Sequence, residues 1–250
     1  MDEPSAAASV AGDADGDPAP TAVAQALLSA TKLVEDPAPH LDRLAQFDDG
    51  ALERVRADRR TALAFWSNLY NAGTQLLLDR RPGLYESPLR FFRFFGATAV
   101  TVAGTDLSLD DIENNILRAG RSKYTLGYTS KLRLGSFSRR YRLEEPDPRL
   151  HFALNCGAAS CPAIRFYEPE HVDDQLDLAT ELYLADTVGY DPEAGVARVP
   201  RVCLWFRGDF GGGDGIRDFL RTHGAIPANA DPKIRYRSWD WSRAAGKFAE

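Results

Sequence analysis

Two cysteines, one histidine and one asparagine lie close together in a segment that ends in a loop of small residues. They are His151, Asn155, Cys156 and Cys161, and Pro162 closes the loop. A thiol becomes a nucleophile when a base or a positive neighbour favours its thiolate form. The sequence therefore nominates Cys156 as a nucleophile with His151 as its base, and Cys161 as the alternative nucleophile.

The alternation of residue types from 150 to 154 predicts a short, half-buried strand that leads into this loop. A strand holds a reactive group rigidly, and a loop of glycine, alanine and serine lets a substrate approach the backbone. On a fully extended strand His151 and Cys156 would lie about 16 Å apart and on opposite faces. The loop must therefore fold back before the imidazole can reach either thiol.

The same residues are compatible with three other interpretations. Cys156 and Cys161 could form a reversible redox pair, although their four-residue separation differs from the usual two-residue redox spacing. Together with His151 they could supply three soft metal ligands, but nothing nearby has metal-site spacing, so no metal and no cofactor is assigned. In the third interpretation both thiols are inert packing residues of a non-catalytic binding or scaffold domain.

The elements that must position these residues are helices interspersed with short strands. This pattern predicts an α+β fold in which helices pack on a small mixed or antiparallel sheet. Residues 1–20 have almost no large apolar side chains, so we predict a disordered, acidic tail followed by a single α+β domain over 21–250. The predicted helices cover about 21–35, 49–81 with a break near Arg59, 109–118, 169–186 and 216–222, and the predicted strands include a hairpin that begins at 97 and a terminal strand over 234–241.

A row of amides lies on the second predicted helix. Asn68, Asn71 and Gln75 recur at i, i+3 and i+7, away from the apolar face of that helix. Such a row is either a solvated face or the lining of a binding site. Gly73 in the same helix costs roughly 1 kcal/mol relative to alanine, which indicates that another backbone packs closely there.

The charge pattern limits the classes of partner. A formal net charge of −6 gives no reason to expect specific nucleic-acid binding. No apolar run approaches the roughly 18 residues of a membrane-spanning helix, and three cysteines with an acidic N-terminus predict a cytoplasmic protein. Residues 114–143 carry eight basic residues and no acidic one. The span from Arg118 to Arg142 is therefore either a solvated connection or a site for an anionic partner.

Four segments together resemble the domain-of-unknown-function 547 family. The segments are Phe65–Ala72, Leu109–Arg118, His151–Pro162 and Asp209–Gly211, the last followed by a closing Asp240–Ser242, and together they cover roughly residues 55–245. The resemblance implies an α+β domain whose motifs meet at one pocket that takes an unidentified small molecule or peptide. The Cys, His and Asn content is similar to that of the papain and transglutaminase group of thiol enzymes, and we carry that likeness as an analogy only.

The resemblance also implies which residues form the site. The residues that match the pattern are Asn68, Asn71, Glu113, Arg118, His151, Asn155, Cys156 and Cys161. Glu113 or Asn155 would orient the imidazole, and Asn68, Asn71, Asn114 and Arg118 would line the binding site. Family members usually carry a histidine directly after the glutamate, and here that position is Asn114. The sequence thus predicts a thiol-dependent hydrolase or acyl transferase, which is degenerate if the missing imidazole is the general base and active if His151 serves instead.

Overall fold

The structure is a computed structural model that describes residues 19–86 and 88–250. The predicted tail over residues 1–20 lies outside this range apart from Ala19 and Pro20, and Pro20 opens the first helix. The helices are α1 (Pro20–Leu33), α2 (Ala38–Ala45), α3 (Asp49–Ala57), α4 (Arg59–Arg80), α5 (Pro88–Gly96), α6 (Ser136–Tyr141), α7 (Val172–Thr187), α8 (Val202–Trp205) and α9 (Gly212–Thr222). A π-helix (Asp111–Leu117) and 3₁₀-helices at Pro82–Leu84, Lys123–Thr125 and Pro148–Phe152 complete the helical elements of this range.

Helix α4 lies at the centre of the fold, and every residue from 62 to 78 is buried. Asp58 separates it from α3 and caps it, because the Asp58 carboxylate accepts a hydrogen bond from the Thr61 N–H at 2.8 Å. The predicted break near Arg59 is therefore confirmed. A helix that is buried on all sides needs partners all round, and α1, α3, α7, the first sheet and the π-helix supply them.

The first sheet is an antiparallel hairpin of β1 (Thr98–Val102) and β2 (Thr105–Ser108), as the sequence predicts. It packs against α4 at Gly73, where an added Cβ would lie 3.1 Å from the Cβ of Ala99. Glycine at this position lets the strand approach the helix more closely than any other residue would allow. The close packing predicted for Gly73 is confirmed.

The second sheet has three strands, β3 (Gly189–Asp191), β4 (Val196–Val199) and β5 (Lys233–Tyr236). Strand β4 is central, antiparallel to β3 and parallel to β5. The terminal strand ends at Tyr236, so its predicted extension to residue 241 is wrong. Three tryptophans at 205, 239 and 241 pack against one another beyond the end of β5, and this aromatic packing replaces strand pairing there.

The two sheets belong to two apolar clusters. The larger one surrounds α4, and the smaller one joins Phe152, the inner face of the second sheet and α9. Helices and small sheets packed in this way make an α+β fold, which confirms the predicted class. No helix in the described range combines the length and the hydropathy that crossing a bilayer requires.

Asparagines of α4 hold the backbone of distant loops. Asn68 donates from Nδ2 to the carbonyl of Tyr167 at 2.8 Å and accepts from the N–H of the same residue at 3.0 Å. Asn71 donates to the carbonyl of Ala153 at 3.2 Å and accepts from the N–H of Asn155 at 2.9 Å. Both side chains are fully buried. A solvated amide face is therefore wrong, while a role in ligand binding stays a prediction.

Gln75 continues the row toward the C-terminal segment. Its Oε1 accepts from the N–H of Gly246 at 2.8 Å. Asn68 and Asn71 both donate and accept, whereas Gln75 only accepts, since its buried Nε2 has no partner in the described structure. The row of amides therefore anchors loops to α4 in place of a sheet ladder.

Replacing Asn71 with alanine is expected to destabilise the fold. The substitution leaves the Ala153 carbonyl and the Asn155 N–H without their partner, and an unsatisfied buried group costs about 1–3 kcal/mol. We expect Asn71→Ala to lower the free energy of unfolding by about 2–4 kcal/mol in urea denaturation. The matched control is Asn229→Ala at an exposed position, for which we expect a change within about 0.5 kcal/mol. Equal losses in the two variants would contradict the anchoring role.

Candidate functional site

The segment that leads to the cysteines is a 3₁₀-helix (Pro148–Phe152) and not a strand. The Asp147 side chain caps it by accepting a backbone N–H at 3.0 Å, and proline occupies the first helical position. Within this turn the neighbours His151 and Phe152 are both buried. The predicted strand over 150–154 is therefore wrong, because the cap and the proline favour a helical turn whose residue alternation only imitates a strand.

Asn155 closes the loop that carries the thiols. Its Nδ2 donates to the carbonyl of Pro162 at 2.7 Å, and its Oδ1 accepts from the N–H of Gly157 at 2.8 Å. Gly157 has a φ of +86°, and an added Cβ would lie 2.7 Å from a methyl group of Leu78. Only glycine fits this position. The loop therefore folds back and its two ends come together, but this is not the contact between His151 and a thiol for which a fold-back was predicted.

The two cysteines of the loop are in direct contact. The Sγ atoms of Cys156 and Cys161 lie 2.7 Å apart, and both thiols are free. The backbone N–H of Cys156 also donates to the Sγ of Cys161 at 3.2 Å. Cys156 is partly exposed, whereas Cys161 is buried. The pair therefore has one thiol near the surface and one beneath it.

The two thiols differ in acidity. The hydrogen bond to Cys161, together with burial, holds the pKa of Cys156 well above its usual range. Burial would raise the pKa of Cys161, but hydrogen bonds from the Cys156 thiol and from the backbone N–H groups of Ala158 and Cys156 outweigh it and lower that pKa. The ammonium of Lys247 adds positive charge nearby and donates to the Cys161 carbonyl at 2.5 Å. Of the two sulfurs, Cys161 is therefore the one whose thiolate form is favoured.

His151 belongs to a second group of buried side chains, which we call the Asp209 network: Arg118, His151 and Asp209. The Nε2 of His151 lies 3.0 Å from Oδ2 of Asp209. Arg118 binds the same carboxylate through Nε at 2.5 Å and through Nη2 at 3.0 Å. The three side chains are at most 2% exposed. Phe206 covers the network, with its ring stacked on the imidazole at 4.1 Å and its centroid 4.3 Å from the Arg118 guanidinium carbon.

The network has a defined protonation state. Burial would raise the pKa of Asp209, but the hydrogen bonds from His151 and Arg118 outweigh it and lower that pKa. Burial lowers the pKa of His151, and the Asp209 carboxylate offsets this only in part. An ionised carboxylate only accepts hydrogen bonds, so the neutral imidazole carries its proton on Nε2 and donates it to Asp209. Its Nδ1 is then the basic nitrogen.

Asn114 extends the network to the surface. Its Oδ1 accepts from Nη1 of Arg118, and its Nδ2 donates to Asp110 at 3.0 Å. Asp110 in turn pairs with Lys123 at 2.5 Å. Two residues predicted to line the binding site, Asn114 and Arg118, therefore belong to one chain of hydrogen bonds that ends in a half-exposed ion pair.

Glu113 has a different partner from the one predicted. Its Oε2 accepts from the hydroxyl of Tyr70 at 3.0 Å. Burial raises the pKa of Glu113, and the charge of Arg118 opposes the shift only in part. The imidazole that Glu113 or Asn155 was predicted to orient is instead held by Asp209.

The predicted site residues fall into two groups. Cys156, Cys161 and Asn155 form the thiol loop, and His151 and Arg118 lie in the Asp209 network. In the described part of the chain no hydrogen bond joins His151 to either thiol. The structure therefore pairs thiol with thiol, and the role of His151 as a general base stays a prediction.

A comparison with protein families gives one match. A family model described as a protein of unknown function, DUF547, covers residues 55–184, which is just over half of the chain. The chain belongs to the DUF547 family. No curated protein and no solved structure matches the chain, so the analogy with papain and transglutaminases has no support from a known structure.

One residue of the candidate site in this DUF547 protein was missed by sequence reasoning. Asp209 was noticed as part of the Asp209–Gly211 segment but was not nominated, and it lies beyond the matched residues 55–184. The sequence feature that could have identified Asp209 is its position in a glycine-rich turn that resembles the family pattern. Only the hydrogen bonds in the structure identify Asp209 as the buried partner of His151 and Arg118.

The basic span is only partly neutralised within the protein, because three of its eight basic residues, Arg118, Lys123 and Arg140, form ion pairs in the described structure. Lys123 pairs with Asp110, Lys131 donates to Asn115 at 2.5 Å, and Arg140 binds Asp49 and Glu53 of α3. The described structure leaves Arg133 and Arg139 exposed and without an ion pair. An anionic partner at Arg118–Arg142 stays a prediction that these internal contacts do not favour.

The metal interpretation gains no support. No group of three or more His, Cys, Asp or Glu side chains in the described residues could hold a metal ion. Cys156 and Cys161 contact each other, whereas His151 binds Asp209.

The Asp209 network is expected to be worth more as a unit than as single residues. Arg118→Met leaves a fully buried carboxylate without its ion-pair partner, and we expect a loss of about 3–5 kcal/mol in the free energy of unfolding. The double variant Arg118→Met/Asp209→Leu removes both charges and is expected to be more stable than the single variant. Guanidinium denaturation at pH 7 measures both.

The control for these two variants is an ion pair that is more exposed to solvent. Arg56→Met removes a half-exposed ion pair with Glu53, for which we expect a loss below about 1 kcal/mol. A double variant that is no more stable than Arg118→Met would show that the buried carboxylate is not the origin of the loss.

Ionised Glu113 is expected to destabilise the protein at neutral and alkaline pH. Its pKa is raised in the folded state, so the cost of its charge is present above the folded pKa and absent below the unfolded one. Glu113→Gln is neutral at every pH and keeps an acceptor for Tyr70. We therefore expect a gain in the free energy of unfolding at pH 8 that shrinks as the pH falls toward 4. Denaturation at several pH values measures this, and Glu170→Gln at an exposed position is expected to give a flat difference.

Proposed function

We propose that this DUF547 domain performs thiol–disulfide exchange through Cys156 and Cys161. The observation that carries the proposal is the 2.7 Å contact between two free sulfurs, one partly exposed and one buried. A disulfide bond is about 2.05 Å long, so the pair can close with a movement of less than about 1 Å. The proposal is the redox alternative that the sequence left open.

The reaction takes a disulfide, of a small molecule or of a protein, as the oxidant. The Sγ of Cys156 attacks one sulfur of that disulfide while its proton passes to the Cys161 thiolate, and the other sulfur leaves as a thiolate. A mixed disulfide now joins Cys156 to the partner. The Sγ of Cys161 then attacks Cys156, its proton goes to the departing sulfur, and the protein is left with a Cys156–Cys161 disulfide. Two thiols of the protein are oxidised, and one disulfide is reduced to two thiols.

The environment of the pair supports this division of roles. Cys156 is the less buried of the two residues and is therefore the one assigned to meet an external disulfide, while Cys161 is buried and in contact with it. The lowered pKa of Cys161 favours its thiolate form, and this sulfur lies 2.7 Å from the Cys156 thiol, where it can accept the Cys156 proton. Burial raises the pKa of the third thiol, Cys203, to about 12, so that residue is inert.

The predicted hydrolase or acyl transferase has weaker support. It needs an imidazole within hydrogen-bond reach of the nucleophile, and among the described residues no hydrogen bond joins His151 to Cys156 or Cys161, which contact each other. The scaffold alternative needs no contact between the thiols, so it does not account for the 2.7 Å separation of the two sulfurs. A cytoplasmic location, which would keep the pair reduced until a disulfide arrives, stays a prediction.

The proposal predicts one reversible disulfide. The protein is equilibrated in glutathione buffers that span roughly −300 to −150 mV, the free thiols are alkylated with N-ethylmaleimide, and the peptides are analysed by mass spectrometry. We expect the Cys156–Cys161 disulfide to appear with a two-electron midpoint while Cys203 remains a thiol. In Cys161→Ser we expect glutathione to stay attached to Cys156, because the resolving thiol is gone.

Two variants separate this proposal from the hydrolase. Cys203→Ser is the matched control and is expected to leave the midpoint unchanged. The pH titration of the ultraviolet thiolate absorbance is expected to lose its acid-shifted component in Cys161→Ser and to keep it in His151→Ala. A pair that stays reduced throughout, with a thiolate that disappears in His151→Ala, would overturn the redox proposal and favour a nucleophile activated by the imidazole.

A further inference from the structure

A cleft of about 720 Å³ lies behind the thiol loop. One wall is the loop itself, through Ala159, Ser160 and Pro162, and the opposite wall is the C-terminal half of α7. The floor comes from residues at and beyond the ends of β4 and β5. Neither Cys156 nor Cys161 lines the cleft, so it is a separate site. A volume of this size is typical of clefts that hold small-molecule ligands.

The cleft carries an excess of positive charge, although the protein as a whole is negatively charged. It is lined by four cationic side chains, Arg165, Arg198, Arg237 and Lys247, and by one carboxylate, that of Asp186. The formal net charge of the chain is −6. Lys247 donates to the backbone carbonyls of Ala159 and Cys161. As far as the structure describes the chain, none of the three arginines forms an ion pair.

Two of these arginines converge on the same side of the second sheet. Arg198 faces outward between the buried residues Ala197 and Val199, and it pairs directly with Gly189 across the antiparallel strands. Side chains of such a pair lie on the same face, about 5 Å apart at Cβ. An added Cβ on Gly189 would lie 3.1 Å from Nη2 of Arg237. The Arg237 guanidinium therefore lies on the face of the sheet from which the Arg198 side chain projects. It occupies space that is open because Gly189 has no side chain.

Four cationic side chains around one cleft, against the single carboxylate of Asp186, repel one another. An oxyanion placed between them removes that repulsion and accepts the planar, two-pronged hydrogen bonds that arginine offers. Trp239 also lines the cleft, and its buried Nε1–H has no acceptor in the described structure. All of these groups donate, so the missing partner is an acceptor-rich anion.

We propose that this cleft binds a small organic polyanion, with one phosphate or carboxylate group held between Arg198 and Arg237 and a second near Arg165 and Lys247. The apolar part of the ligand would lie against Tyr183, since this side chain lines the α7 wall. The proposal goes beyond the thiol pair and does not depend on it.

Isothermal titration calorimetry with two probes tests the proposal. Pyrophosphate carries two phosphate groups, and citrate carries three carboxylates, so the pair distinguishes the two sources of negative charge. We expect saturable one-to-one binding of at least one probe. In Arg198→Gln/Arg237→Gln we expect its affinity to fall at least about tenfold, because the two guanidinium groups of the proposed anion seat are lost.

The matched control is Arg133→Gln/Arg139→Gln. This variant removes the same charge from two exposed arginines without ion pairs in the basic span, and we expect its affinity to stay within about twofold of the parent, as for a distant pair of screened charges. Circular dichroism checks that each variant is folded. If the cleft variant does not fold, Arg165→Gln replaces it with the same expectation. Equal weakening in the control, or no saturable binding of either probe up to about 5 mM, would overturn the proposal.

Discussion

The buried carboxylate of Asp209 is the constraint on which the functional part of the fold depends. A bare charge with no access to water is strongly unfavourable, so the carboxylate must be met by donors on every side. Arg118 at the end of the π-helix and His151 in the 3₁₀-helix supply them. The pairing therefore fixes the turn after α8 against the segment that starts the thiol loop, and it does so between residues far apart in the chain.

Side-chain amides perform a similar task for the backbone. The thiol loop and the segment around Tyr167 lack strand partners, and Asn68, Asn71 and Asn155 satisfy their peptide groups instead. Amides that both donate and accept can replace a sheet ladder where the chain must follow a tight path. Along that path the Sγ atoms of Cys156 and Cys161 lie in contact, 2.7 Å apart.

Much of the fold followed from local patterns. The cap at Asp58, the hairpin over residues 98–108 and the close approach at Gly73 were all predictable, because each depends on neighbours in the chain or on one residue type. Predictions failed where one local sequence pattern was compatible with two different structures. The alternation at 150–154 fits a strand and also a short helical turn with two buried neighbours. The amide row fits a wet face and also a buried set of anchors, and only the loops packed against it decide between them.

The α+β class, the family and the residues of the thiol loop could be inferred from the sequence, because composition, periodicity and motif spacing are properties of the linear chain. The tertiary structure decided which of those residues meet. It brought Cys156 to Cys161 and gave His151 to Asp209. It also gathered the arginines of the cleft from the second sheet and from two loops. Contacts across tens of residues depend on how elements pack, and no local pattern encodes the distance between two side chains on different elements.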